Sequence, residues 1–277
     1  MGRRTQRVRM LRYRNDRVTR REDHLAVEEP LEIQINGAPF TITMRTPGDD
    51  FDLVAGFLVS ENVVYHADQL DVLRYCPGTD ENGLQTFNVV EATLAPGVTL
   101  PDTAIERNVY TTSACGICGT ASIDAVEKTG QFFLNPGPQQ ISLETLLSLP
   151  DKLRDAQALF SRTGGVHAAG LFDFEGQLLD IKEDVGRHNA VDKVVGAALR
   201  AGNLPLSGTV LQVSGRASFE LVQKAWMAGI PVLSAVSAPS SLARDLAERA
   251  NLTLAGFSRG NSINIYTHPE RVDMDAV

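Results

Sequence analysis

The chain has 277 residues, 43% hydrophobic and 22% charged, which suits a soluble globular protein of one large or two modest domains with a substantial core. A formal charge of -8 and a pI near 5.2 provide no global basic field, so nucleic acid is not the expected partner. No apolar run reaches the roughly 18 residues of a membrane span, and Cys76, Cys115 and Cys118 are too few for a disulfide framework, so a reducing, cytoplasmic setting away from membranes is expected.

In chain order, residues 1–26 come first. They hold Arg3, Arg4, Arg7, Arg9, Arg12, Arg14, Arg17, Arg20 and Arg21, a like-charge block that reads as a solvated or flexible arm. The apolar stretch that would make this start a secretory signal is missing. Residues 27–108 read as a small α+β domain. Alternation across 31–44, centred on Asn36-Gly37, predicts a β-hairpin, because that dipeptide supplies the positive φ of a tight primed turn. Residues 49–59 predict an amphipathic helix opened by acidic side chains, and 84–90 a strand.

Residues 109–277 change pattern. Helices are expected at 120–129, 141–160, 188–200, 217–228 and 239–249, among strands at 166–174, 178–182, 209–213, 231–236, 252–257 and 262–266. Such alternation predicts an α/β layered domain with a largely parallel sheet, and ligands of such sheets sit at the carboxyl ends of strands and at helix N-termini. The junctions 214–218 and 237–241, with Phe257, Ser258, Arg259, Gly260, Asn261 and Ser262 between the last two strands, are therefore candidate anion sites. Arg187, Arg216 and Arg259 can clamp phosphate with forked guanidinium groups.

The segment Thr112-Ser113-Ala114-Cys115-Gly116-Ile117-Cys118-Gly119-Thr120 sets two thiols two residues apart. It admits a disulfide redox pair, half of a zinc site, a sulfur handler, or a pair of small buried hydrophobes. Gly116 and Gly119 leave the backbone bare for close approach, and the helix expected after them favours a thiolate over a thiol. Asp192, one helical turn after His188, can orient or charge that ring. His167 and His188 could in principle complete a zinc site with Cys115 and Cys118.

Four motifs then carry a resemblance. Thr-x-x-Cys-Gly-x-Cys-Gly at 112–119, Glu-Asp-Val-Gly-Arg-His-Asn-Ala-Val-Asp-Lys at 183–193, Ser-Gly-Arg-Ala-Ser-Phe-Glu-Leu-Val-Gln-Lys at 214–224 and Asn-Leu-Thr-Leu-Ala-Gly-Phe at 251–257 resemble the FdhD family of formate dehydrogenase accessory sulfurtransferases, over roughly residues 27–272. The resemblance implies a three-layer, cytidine-deaminase-like C-terminal domain without catalytic zinc, and a homodimer. It also implies a sulfur carrier that takes sulfur from a cysteine desulfurase as a persulfide and passes it to the molybdenum bis-guanine-dinucleotide cofactor, held as bound substrate, before insertion into formate dehydrogenase. By position Cys115 matches the persulfide-bearing residue, Cys118 its neighbour, and residues 257–262 the nucleotide-binding segment. The alternatives are a zinc-dependent deaminase-like hydrolase and a non-catalytic cofactor chaperone. The hydrolase would need a His-x-Glu motif upstream of the cysteines and a proline before the first of them, whereas Ala114 precedes Cys115 and the one His-x-Glu, His268-Pro269-Glu270, lies downstream of both cysteines.

Overall fold

A computed structural model of the chain describes residues 3–79, 85–100, 131–134 and 140–275. The basic start forms a hairpin, β1 (Thr5–Arg14) and β2 (Arg17–Ala26), turned by Asn15 and Asp16, both at positive φ. Composition alone reads this stretch as an arm; the local signal is the Asn-Asp pair, whose short polar side chains tolerate the left-handed region of a primed turn. Next come β3 (Glu29–Ile35) and β4 (Ala38–Arg45), joined as expected at Asn36-Gly37. Helix α1 (Asp50–Ser60) follows, with Asp50 and Asp52 in its first turn. Strands β5 (Leu70–Tyr75), β6 (Gly78–Thr79), β7 (Gln85–Thr86) and β8 (Val89–Leu94) complete this region. Its main sheet runs β4-β3-β8-β5, with β3 and β8 parallel.

The later region comprises β9 (Ile141–Ser142), α2 (Leu143–Ala156), α3 (Ala158–Thr163), β10 (His167–Asp173), β11 (Leu178–Asp184), α4 (Arg187–Arg200), β12 (Thr209–Val213), α5 (Phe219–Met227), β13 (Val232–Ala235), α6 (Ser241–Arg249), β14 (Thr253–Arg259), β15 (Ser262–Thr267) and β16 (Val272–Asp273). The helix expected over 141–160 is divided at Gln157, where the Glu183 carboxylate accepts from the Leu159 and Phe160 amides and so starts a second helix. The helix expected at 120–129 lies outside the described residues.

Six strands form the central sheet in the order β11-β10-β12-β13-β14-β15. Only β12-β13 and β13-β14 are parallel; β10 pairs antiparallel with both neighbours, as β15 does with β14. The expectation of a largely parallel sheet is thus corrected to a mixed one. The turn at Phe174–Gln177 and the tight β14-β15 connection are too short for crossovers, so those strands must reverse. Leu211, Val213 and Leu233 face a core shared with α4, α5 and α6, while Val210 and Val232 face Leu146, Leu149 and Leu153 of α2.

The first core also contains Leu31, Ile33, Leu53, Val54 and Leu58, so one apolar cluster joins the earlier and later regions. Helices α1 and α4 make the join. A Cβ placed on Gly56 would lie 1.8 Å from the Asp192 carbonyl oxygen, and one on Gly196 1.8 Å from that of Asp52. Two facing glycines therefore let the backbones touch where any side chain would hold them apart.

Candidate functional site

Chain geometry collects the candidate residues on one edge of the central sheet. Strands β12, β13 and β14 all end there. Because β10 runs against β12, it begins there, and His167 at its start pairs with Asp184 at the end of β11. The junction after β12 is fastened to β10: the Ser214 amide donates to Ala168 O (3.0 Å), and the Ser214 hydroxyl accepts from the Ala168 amide (2.9 Å). The two strand-to-helix junctions are in turn linked to each other. The amides of Val236, Ser237 and Ser240 donate to the carbonyls of Val213, Gly215 and Ala217, and the Phe257 amide donates to Ser237 O at 3.2 Å. The candidate junctions 214–218 and 237–241 are thus joined to each other, and the segment 257–262 to them through Phe257.

Within 257–262 the side chains part company. Arg259, Gly260, Asn261 and Ser262 are exposed and Phe257 is half-buried, while Ser258 is fully buried with an Oγ that has no hydrogen-bond partner. Phe257 sits at φ 52°, unusual for a bulky residue, inside the register shift of the β14-β15 pairing. Such backbone strain concentrates at functional sites. The Arg259 guanidinium lies 6.0 Å from the centre of the Phe257 ring, which puts an aromatic face and a cation side by side.

The 183–193 motif divides by role. Asp184 is fully buried and accepts from Lys193 (2.7 Å) and from the amides of Thr46 (3.1 Å) and Gly186 (2.8 Å). Asn189 donates to Met44 O and to Asp184. Asp192 is held by Lys224 (2.7 and 2.9 Å) and by the Ser60 hydroxyl (2.7 Å). These residues fasten α4 to its neighbours, which leaves Arg187 and His188 at the sheet edge. The expected His188–Asp192 pairing is not what forms. His188 Nε2 lies 3.3 Å from Ser218 Oγ and 3.7 Å from a Glu220 carboxylate oxygen. Four-residue spacing predicts a shared helix face, but Asp192 points inward to the only lysine of α5, and the ring meets the first turn of that helix instead.

Electrostatics follow this geometry. The His188 imidazole facing it at 3.7 Å draws the Glu220 carboxyl down to about 2, against the opposing effect of burial. Burial, then the charges of Arg187 and His188, push the His167 imidazole below 6.5, so it is a neutral ring beside a cation at neutral pH. Arg187 Nε is buried without a partner. Ser218 belongs to the expected junction 214–218, whereas Glu220 is the site residue that motif reading passed over; the signal available was its place in the first turn of α5. Cys115 and Cys118 lie outside the described residues. Among the described residues no three His, Cys, Asp or Glu side chains cluster closely enough to hold a metal ion, and no helix is long and apolar enough to cross a membrane.

Comparison with known proteins places this arrangement. The FdhD/NarQ family model matches residues 26–273. A protein from Streptomyces avermitilis named Sulfur carrier protein FdhD is 60% identical over 277 residues, covering all of this chain and 98% of the other. One of the same name from Mycobacterium tuberculosis is 52% identical, covering 98% of this chain and all of the other, and one from Sulfolobus acidocaldarius is 45% identical, covering 91% and 92%. A crystal structure from Desulfotalea psychrophila, assigned as a formate dehydrogenase accessory protein, superposes with a TM-score of 0.74 over 97% of this chain and 99% of that one; at 24% identity the likeness concerns the fold. A family match across nearly the whole chain, with full-length relatives at this identity, has one meaning: the chain belongs to the FdhD/NarQ family.

Proposed function

We propose that the protein is a cytoplasmic sulfur carrier that serves formate dehydrogenase, with Cys115 as the carrier residue. Residues 109–277 are read as its deaminase-like unit, with 27–108 as a smaller companion region and the molybdenum bis-guanine-dinucleotide cofactor as bound substrate. In loading, the Cys115 thiolate attacks the outer sulfur of a cysteine desulfurase persulfide. The donor sulfur–sulfur bond breaks, the donor cysteine leaves as a thiolate, and Cys115 becomes a persulfide. Release of the outer sulfur as hydrosulfide requires two electrons. Attack of the Cys118 thiolate on the inner sulfur supplies them by closing a Cys115–Cys118 disulfide, which a dithiol reductant of the cell must then reopen.

The observation that supports a phosphate-rich substrate is the convergence of strand ends at one edge of the sheet. Arg187, Arg216 and Arg259 stand at this edge with the amino ends of α4 and α5, although the chain as a whole is acidic. Phe257 beside Arg259 gives a guanine base a face on which to stack.

The test is intact mass after incubation with a cysteine desulfurase and free cysteine. The wild type gains one sulfur atom, Cys115→Ala gains none, and Cys118→Ala gains it but fails to discharge it. A gain that persists in Cys115→Ala, or no gain in the wild type, would falsify the assignment.

A further inference from the structure

The β1-β2 hairpin is not used by the site. It forms a two-stranded sheet of its own, with ten residues in each strand. Its root is fixed, the Val27 amide donating to Arg4 O at 3.0 Å. From Leu11 round the turn to Asp23 every residue is exposed, so the outer part stands clear of the body.

Charge is divided unevenly between the two. Residues 3–26 hold nine arginines against Asp16, Glu22 and Asp23, a formal +6, so the remainder of the chain carries -14. Two of the three acids are engaged within the hairpin: Glu22 pairs with Arg7, and Asp16 accepts from the Tyr13 hydroxyl. Among the described residues no carboxylate pairs with Arg9, Arg12, Arg14, Arg17, Arg20 or Arg21. Strands of this length extend about 30 Å, several times the screening length of about 8 Å at physiological salt. The cations of the tip therefore act outside the field of the acidic body, and the net charge of the whole chain says nothing about what they attract.

The register sets these cations around an apolar patch. Leu11, Tyr13 and Val18 share one face and are 67%, 69% and 65% exposed. Arg9 and Arg20 lie on the same face, Arg14 and Arg17 bracket the turn, and Arg12 and Arg21 occupy the face behind. An open hollow of about 680 Å³ runs along the ribbon, lined among the described residues by Arg9, Met10, Leu11, Arg20, Arg21 and Glu22. A nucleic acid duplex would engage the arginines and leave the apolar patch in water. The headgroup layer of an anionic bilayer engages both, with phosphates at the level of the guanidinium groups and hydrocarbon beneath the patch. Long arginine side chains reach such phosphates from either face of a ribbon, and tyrosine is enriched at this boundary. Docking of this kind needs no spanning segment.

We infer that the β1-β2 hairpin docks the protein on an anionic phospholipid surface, with Leu11, Tyr13 and Val18 entering the headgroup layer, the surrounding arginines binding lipid phosphates, and the acidic body held away from the membrane. The family model match begins at residue 26, so the hairpin is not part of the sulfur-handling motifs, and the inference stands or falls independently of sulfur loading.

Co-sedimentation of the full chain with vesicles tests it. One set of vesicles is an equal mixture of phosphatidylglycerol and phosphatidylcholine, the other phosphatidylcholine alone. The wild type should bind the mixed vesicles, weaken as salt is raised, and leave the neutral vesicles unbound. Each arginine near such a surface strengthens binding roughly fivefold, so Arg12→Gln/Arg14→Gln/Arg17→Gln should lose tenfold or more in affinity. Leu11→Ser/Tyr13→Ser/Val18→Ser should lose as much, with the thermal midpoint of the body unchanged in both variants because the altered side chains are exposed. A wild type that ignores the mixed vesicles, or that binds them as well as both variants do, overturns the inference. So does binding that falls in the arginine variant alone and is matched by a DNA duplex, which would mark a contact with any polyanion. Insertion has its own reading. Tyr13→Trp, compared with the wild type whose one tryptophan is Trp226, should shift its emission to the blue on mixed vesicles and be quenched by brominated acyl chains. Emission that stays unshifted and unquenched excludes entry of the patch and overturns the docking mode.

Discussion

Residue by residue, the sheet edge is defined by two imidazoles in unlike settings. His188 leans on Glu220, and the linkage runs in a definite direction. A carboxyl held near 2 in the fold, against an ordinary 4.5, contributes stability that is fully present above 4.5 and is lost as pH falls from 4.5 toward 2. Glu220 is a quarter exposed, so solvent screening limits the worth of the contact. Glu220→Gln is expected to lose about 1–2 kcal/mol near neutrality, with the deficit closing below pH 4.5, as read from urea midpoints across that range. A deficit independent of pH would mean that packing, not charge, is at stake. The His167 pKa also falls, but there because the ring is desolvated and, next, because it lies beside Arg187. Its ring should titrate below 6.5 by NMR, and Arg187→Gln should move the midpoint upward. An unmoved midpoint would leave burial and the neighbouring His188 as the causes. Little of this was legible in the sequence. Spacing could place His188 and Asp192 on the same helix, but not show that Lys224 and Ser60 from two other helices had already claimed the aspartate.

Secondary-structure elements were the most legible level, for a physical reason. Strands such as 209–213 are buried on both faces and helices such as 188–200 on a broad one, so their apolar patterns are strong and their junctions are marked by Ser, Gly and Pro. What escaped was set by partners distant in sequence: the directions of the outer strands, and the hairpin hidden within an arginine block by its own charge. The contact between α1 and α4 belongs to the same class. Gly56 and Gly196 look unremarkable inside their helices, yet each lies against the carbonyl backbone of the opposite helix. Gly196→Ala would drive a methyl group into Asp52 O, which cannot yield without parting the helices, and a cost of at least about 3 kcal/mol follows. Gly208→Ala, with nothing within 4 Å of the added carbon, should fall within about 0.5 kcal/mol of wild type. Guanidinium denaturation of the pair checks both, and equal midpoints would show that the crossing tolerates a wider separation.

At the scale of the whole molecule, the earlier and later regions are joined by buried charge as well as by apolar contact. Lys193 and Asp184 are both fully buried and 2.7 Å apart; the lysine also donates to Thr46 O at 2.9 Å and the aspartate accepts from the Thr46 amide. The residue they grip leads from β4 into α1, so the ion pair in the later region holds the chain of the earlier one in place. Removal of the lysine alone strands a carboxylate in the interior, and a buried charge without its partner costs far more than the pair contributes. Lys193→Met is therefore expected to destabilise by about 3–5 kcal/mol, and Asp184→Asn added to it should recover part of the loss by taking the orphaned charge away. Because Thr46 and the shared core connect both sheets, the damage should reach β3 as much as β12. Hydrogen exchange can read this directly. In the wild type, amides of β3 and β12 should open with one common free energy, and in Lys193→Met both should fall by the same amount. If β3 alone loses protection while β12 keeps it, the two sheets unfold separately and the buried pair is only a local clasp.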